Sequence, residues 1–431
     1  MKKIFVIFIN FLLIFTLAIT ASGCNNSNNP NGETEGMDKL VKNFWENDTM
    51  YDETILLTAS TDEAGNIVNM PEAKLLFNAS EIIEVKQYFH MNNSGVVYFT
   101  QGTDFEYSEG KIIAKGNLTE DINGINSAID TNMPYVTDKQ ISGEAAFPNL
   151  GASTAIPSTD AGLYLPFSES YQIVQMQLSV TYKYNHNDWQ GTIPLYYGNS
   201  VLQKTVSKLK NKENIDLFFF GDSISTGANS SSILKITPNL ATFPELVATN
   251  LAKNYGGKVI LTNKSVGGWT TVNAISASAS GWLNGELINQ AGISGLLDNE
   301  LANYSPDIAV IGFGMNDATA GISINNYYTN TKKIIDELKS RNESCEIILL
   351  GTMLANPKAL NQSKNQISYY VALTQLVSEY SDVCAINIGQ MHQDLLNSGK
   401  KFIDMSSNNV NHPNDFMARI YAMNILSALI D

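Results

Sequence analysis

From about Asp216 to Asp431, short apolar runs alternate with helix-like segments, and this rhythm constrains the fold more than any other feature of the chain. The runs are DLFFF, KVILTN, DIAVIGF, EIILLG and AINIG. They lack the in-and-out alternation of half-wet strands, so they read as strands of a parallel sheet covered on both faces. The segments between them read as helices: FPELVATNLAKNYGG, with Pro244 at its start and Gly256 at its end, then ELINQAGISGLLDNELANY, INNYYTNTKKIIDELKSRN, QISYYVALTQLVSEYS and DFMARIYAMNILSALI. The expectation for residues 216–431 is a flavodoxin-like α/β/α sandwich around a five-stranded parallel sheet. In such folds ligands sit at the C-terminal ends of the strands.

Residues 47–200 follow another rhythm. In QIVQMQLSVTYKY, Val174, Met176, Leu178, Val180, Tyr182 and Tyr184 fall on one face of a strand. Similar short runs, separated by Gly, Asn, Pro and Asp, predict an all-β sandwich or jelly roll, joined to the α/β half by a connector over 201–215. Aromatics there, Trp189 included, serve either as strand packing or as a face for stacking sugars.

With 431 residues, 44% hydrophobic and 16% charged, the chain is globular and long enough for two or three domains. Its net charge of −15 argues against nucleic acid as a partner. Residues 1–23 carry Lys2 and Lys3, an apolar run and the small residues Ala21, Ser22 and Gly23 immediately before Cys24, the pattern of a secretory signal. The segment resembles a bacterial lipobox, which implies lipid on Cys24, a flexible tether over 24–46 and a cell-surface location on the outer face of the membrane. The alternative is an uncleaved anchor helix. Cys345 and Cys384 precede or enter apolar strands, so they are either buried thiols or a disulfide. No His/Cys cluster has metal-ligand spacing.

Four segments carry candidate chemistry at the strand ends. Gly221-Asp222-Ser223-Ile224-Ser225 places a serine in the tight turn leaving the first strand. Ser265-Val266-Gly267-Gly268-Trp269 follows the second, where glycine lets a backbone N–H face a ligand. Gly314-Met315-Asn316-Asp317 follows the third and offers an amide donor. Asn409-Val410-Asn411-His412-Pro413 precedes the last helix. Of the four histidines, His90 and His186 lie in the β half and His392 in a short polar helix, which leaves His412 as the candidate base. Taken singly, each segment is an ordinary turn.

Their order and placement resemble the SGNH, or GDSL-type, hydrolases: GDSIS for the nucleophile block, SVGG for the glycine block, GMND for the asparagine block and NHP for the histidine block. The resemblance covers about Asp216 to Asp431. It implies that Ser223 attacks an ester carbonyl while His412 takes its proton, and that the N–H groups of Ser223 and Gly268 with the Asn316 amide hold the oxyanion. No metal or organic cofactor is called for. One departure stands out. The family places Asp three residues before the histidine, whereas this chain has Asn409, which supplies no charge for an imidazolium. Candidates to support His412 are therefore Asn409, Asp404, Asp415 or a backbone carbonyl. Carbohydrate esterases with a jelly roll ahead of an SGNH domain look similar and manage with a Ser-His dyad. The resulting expectation is a surface lipoprotein that removes acyl groups, acetyl above all, from carbohydrate, with Trp269 and Trp282 as candidate stacking platforms. The competing readings are a lipase or thioesterase, and a glycan-binding protein whose catalytic site has decayed.

Overall fold

The computed structural model describes residues 38–88, 95–119, 135–143, 155–362 and 365–431. Cys24, its tether and His90 lie outside these residues. Among the described residues no helix is long and apolar enough to cross a membrane, and Asp38–Asp431 form one compact unit.

All five apolar runs of the C-terminal half are strands: β1 (Ile215–Gly221), β2 (Val259–Asn263), β3 (Ile308–Gly312), β4 (Glu346–Gly351) and β5 (Val383–Asn387). They pair in parallel in the order β2-β1-β3-β4-β5, the doubly wound order of flavodoxin-like sheets. Phe218, Phe219 and Phe220 on β1 are all fully buried, because successive side chains face opposite helix layers. Each such side chain contributes about 1.5–3 kcal/mol by leaving water. Helices α1 (Phe243–Tyr255), α2 (Ile324–Arg341), α3 (Tyr370–Val377), α4 (Ile388–Asn397) and α5 (Asp415–Leu429) accompany the sheet. The ends of α1 are set as its sequence requires: Pro244 lies in the first turn, Thr242 and Glu245 form a capping box, and Gly256 closes the helix at φ 74°.

One expected helix is different. Within ELINQAGISGLLDNELANY, Glu286–Gln290 is a strand that pairs with Ala279–Leu283 in a hairpin, and helical structure starts only at Ile293. The turn between the strands is Asn284-Gly285, with φ of 51° and 84°. Two positive φ values at Asn-Gly are the signature of a type I′ hairpin turn, whose twist suits the strands it joins.

The N-terminal half is β-rich and jelly-roll-like. One antiparallel sheet runs Thr49–Ile55, Leu178–Lys183, Glu81–Gln87 and Val97–Phe99. A second contains Phe105–Ser108, Lys111–Ala114, Glu72–Lys74, Leu57–Ala59 and Tyr135–Thr137, the last two in parallel. The predicted long strand over QIVQMQLSVTYKY begins only at Leu178. Gln172–Met176 turns as a helix because Ile173 and Met176 fill a small core with Leu56, Val136 and Ile403.

Cys345 and Cys384 are both buried free thiols. Cys384 pairs with Ile348, three residues beyond Cys345. At about 3.3 Å per residue the two cysteines are offset by about 10 Å along the strands, beyond the ~7 Å that a disulfide spans.

His392 on α4 is fully buried, and its Nδ1 accepts the Leu354 N–H at 3.1 Å. Burial holds this imidazole down to about 3. The unfolded chain gains the proton as pH falls through about 6.5 while the folded chain does not, so stability is full above that value and is lost on acidification. In His392→Gln the loss between pH 6.5 and 5 is expected to be smaller by up to about 1.4 kcal/mol per pH unit, read from urea unfolding at both pH values. Equal pH dependence in the two proteins would refute the assignment.

Candidate active site

β1 must end at Gly221, since a Cβ there would meet Gly312 O at 2.4 Å and Ser225 Oγ at 2.5 Å. The next residue, Asp222, accepts the Ile224 N–H on its carboxylate at 3.0 Å and so caps a single helical turn, Ser223–Thr226. Ser223 is thereby fixed at the sheet's C-terminal edge, 7% exposed. Its Oγ lies 2.9 Å from His412 Nε2. That contact joins residues separated by 189 positions.

The glycine block is shaped by the hairpin. Gly267 N–H donates to Trp282 O at 2.7 Å and Trp282 N–H donates to Gly267 O at 2.9 Å, while Trp269 N–H turns back to Val266 O. Gly268, between them at φ 81°, takes part in none of these bonds. The loop also passes close to the nucleophile: a Cβ on Gly267 would lie 3.6 Å from Ser223 Cβ. Asn316, in the first turn after β3, donates through Nδ2 to Trp269 O at 3.0 Å. An amide nitrogen has two protons, so one remains for a ligand oxygen. The structure thus brings Ser223, Gly268, Asn316 and His412 to one edge of the sheet.

The two tryptophans part company. Trp269 is fully buried, donates its Nε1–H to Ser280 O at 2.9 Å and packs edge-on to Phe220; it is core and no platform. Trp282 keeps 40% of its surface exposed, and its Cδ1 would lie 3.8 Å from a Cβ on Gly268.

None of the three side chains expected to support His412 touches its ring. Asn409 adopts φ 60° and turns its amide away, donating to Pro166 O at 3.0 Å and accepting from Asn356 at 3.1 Å. Asp404 accepts the backbone N–H groups of Leu56 at 2.7 Å and Lys401 at 2.9 Å. Asp415 accepts the Ser231 N–H at 3.0 Å. What faces His412 Nδ1 instead is Asn229 Oδ1 at 2.5 Å, with Glu169 Oε2 at 3.3 Å. Two acceptors at Nδ1 keep the proton there and leave the Nε2 lone pair for the serine hydroxyl, the tautomer a general base needs. Asn229 follows the nucleophile turn at φ 62°, and a polar residue so close to Gly227 was a signal that the sequence carried. Glu169 comes from the β half, where no spacing rule points to it.

A further residue, Asn408, organises the loop. Its Oδ1 accepts the N–H groups of Val410, Asn411 and His412 at 2.9, 3.0 and 3.0 Å, and its Nδ2 donates to Glu169 Oε1 at 3.1 Å. The β half holds the same loop elsewhere: Gln177 donates to Ile403 O and Ser406 O, and Thr54 Oγ1 to Asp404 O. Beneath the nucleophile, burial lifts the Asp222 carboxyl to about 7, with the nearby Asp317 carboxylate adding to the rise. Among the described residues no group of three or more His, Cys, Asp or Glu side chains gathers as a metal site would require.

No curated sequence relative matches the chain. Several solved structures are similar at low identity. A two-domain esterase active on acetylated mannans is 15% identical over 55% of this chain and 52% of its own, with a TM-score of 0.40, so the chain spans about half that protein's length. An acetylxylan esterase from Geobacillus stearothermophilus is 16% identical over 50% of this chain and 94% of its own, with a TM-score of 0.38. A carbohydrate esterase of family 3 from Talaromyces cellulolyticus is 15% identical over 49% and 94%, with a TM-score of 0.35. The sequence profile of the GDSL-like lipase/acylhydrolase family matches residues 219–420. That profile runs from β1 into α5, so the C-terminal half of the chain is similar to the GDSL-like lipase/acylhydrolase family.

Proposed function

We propose that the protein is an exported serine esterase that removes acyl groups, acetyl above all, from carbohydrate. The observation that carries the hydrolytic part is the 2.9 Å contact between Ser223 Oγ and His412 Nε2, with Nδ1 of the same ring held from behind. Ser223 attacks the carbonyl as His412 takes its proton, the oxyanion develops toward Gly268 N–H and the Asn316 amide, and His412 returns the proton to the leaving alcohol. Water then repeats the sequence on the acyl-enzyme. Each oxyanion donor of this kind is worth about 3 kcal/mol in the transition state.

The carbohydrate part rests on the rim. The half-exposed indole of Trp282 beside Gly268 suits the apolar face of a sugar ring. The export signal and Cys24 support a lipid-anchored surface location, which incorporation of labelled fatty acid into the wild type, and its loss in Cys24→Ser, would test. The lipase reading draws on a different observation: Leu283 and Leu287 of the same hairpin are 38% and 64% exposed.

Acyl length separates the two. Aryl acetate is expected to exceed aryl octanoate in kcat/KM by about tenfold or more, and acetylated mannan and xylan are the first polymers to assay for acetate release. Equal or faster hydrolysis of the octanoate would move the enzyme to the lipase reading.

A further inference from the structure

We propose that Glu169, a residue of the β half, supplies the negative charge that stabilises the His412 imidazolium, so that the catalytic constellation is completed by the neighbouring domain. Three observations converge on it. Glu169 Oε2 lies 3.3 Å from His412 Nδ1. Its other oxygen accepts the Asn408 amide at 3.1 Å, and the same Asn408 fixes the backbone of His412 at 3.0 Å; one side chain therefore sets the imidazole and the carboxylate together. Finally, the position where the family carries an aspartate is Asn409, whose amide is spent on Pro166 O, three residues before Glu169. This bond ties the histidine loop to the segment that carries Glu169.

Asn229 is the nearer acceptor at Nδ1, and it orients the ring. Being neutral, it leaves the positive charge that His412 acquires in the transition state uncompensated. The carboxyl groups of Asp222, below the nucleophile, and of Glu169, from the β half, both feel the charge of His412. Asp222 is buried and lifted to about 7, so it is largely protonated in mildly acidic solution. Desolvation raises the Glu169 carboxyl, but His412 and the amides of Asn408 and Asn229 outweigh it and hold the group below its ordinary value. Glu169 is thus the carboxylate that stays charged as pH falls toward the acid limb. About half of its side-chain surface remains in solvent, so its interaction with His412 is screened by salt.

The inference rests on the esterase reading for its kinetic consequence only, and a second measurement is independent of activity. In the full-length protein, Glu169→Gln is expected to lower kcat on aryl acetate by about tenfold, less than the 10⁴ that follows loss of a buried triad aspartate, with KM little changed. Nuclear magnetic resonance titration of the His412 imidazole, assigned by comparison with His412→Ala, should show its midpoint moving to lower pH in Glu169→Gln. The acid limb of kcat/KM should move the same way, because loss of a neighbouring negative charge makes protonation harder. Glu169→Asp should give an intermediate midpoint, and Glu106→Gln, at an exposed site on the far strand Phe105–Ser108, should change neither reading. An imidazole midpoint unmoved in Glu169→Gln overturns the proposal, whatever happens to the rate. A midpoint that moves in Glu169→Gln while the wild-type protein hydrolyses no ester would uphold the ion pair and sink the esterase reading instead.

Discussion

Ser223→Ala is expected to lower ester hydrolysis by about 10⁴- to 10⁶-fold, His412→Ala by a comparable factor, and the double variant hardly further. Attack and proton removal are one step, and the 2.9 Å contact between Oγ and Nε2 is the path of that proton. Once either partner is missing, the other has nothing left to contribute. The residual rate then comes from Gly268, Asn316 and binding alone. Steady-state kinetics on an aryl acetate checks this, and independent losses that multiply in the double variant would contradict the assignment.

The second large effect concerns stability. Lys400 has a side chain with no solvent exposure, and its Nζ lies 2.7 Å from Glu53 Oε1 and 2.6 Å from Thr54 O. Glu53, equally buried, also accepts Leu76 N–H at 2.9 Å and Tyr182 OH at 2.5 Å. Lys400 opens the segment that leads to His412, and Glu53 lies on the strand Thr49–Ile55, so the pair fastens one half of the molecule to the other. Lys400→Met should destabilise the protein by about 3–5 kcal/mol because it strands a buried carboxylate. Lys400→Met combined with Glu53→Gln should recover part of that loss: the Glu53 charge is gone, while Asp404, 3.7 Å from the Lys400 ammonium, keeps its two backbone N–H donors. A loss below about 1 kcal/mol in the single variant would mean that the pair is dispensable; urea unfolding measures it.

What was legible in the sequence follows from the range of the forces involved. The five strands of the parallel sheet are buried on both faces, so their apolar runs are local and continuous. The four blocks at their ends could be placed for the same reason. The hairpin at Asn284-Gly285 is equally local, but ELINQ has apolar residues at spacings that fit either period, so periodicity alone suggests a helix where the Asn-Gly turn points to a strand pair. The support of His412 was of another kind. Asn409 stands where the spacing predicts a partner, yet its left-handed backbone aims the amide at Pro166, 243 residues away. Glu169 reaches the ring only because two separately read halves dock. Trp269 and Trp282 differ for a similar reason: sequence proximity to Gly268 is shared, but Gly281 lets the hairpin close over Trp269, since a Cβ there would meet Trp269 Nε1 at 2.6 Å.

The fastening of the histidine loop to the β half also governs the order in which the site comes into being. The nucleophile turn closes on itself, Asp222 to Ile224, two residues apart. The loop that carries the base is held by bonds such as Leu56 to Asp404 and Asn414 to Thr54, which span 348 and 360 residues. Contacts of such separation form late, because the chain between them must first be ordered. During synthesis the strand Thr49–Ile55 emerges long before its partner in the loop exists. Catalytic competence is therefore expected to wait on the docking of the histidine loop against the β half, after the nucleophile turn has closed on itself.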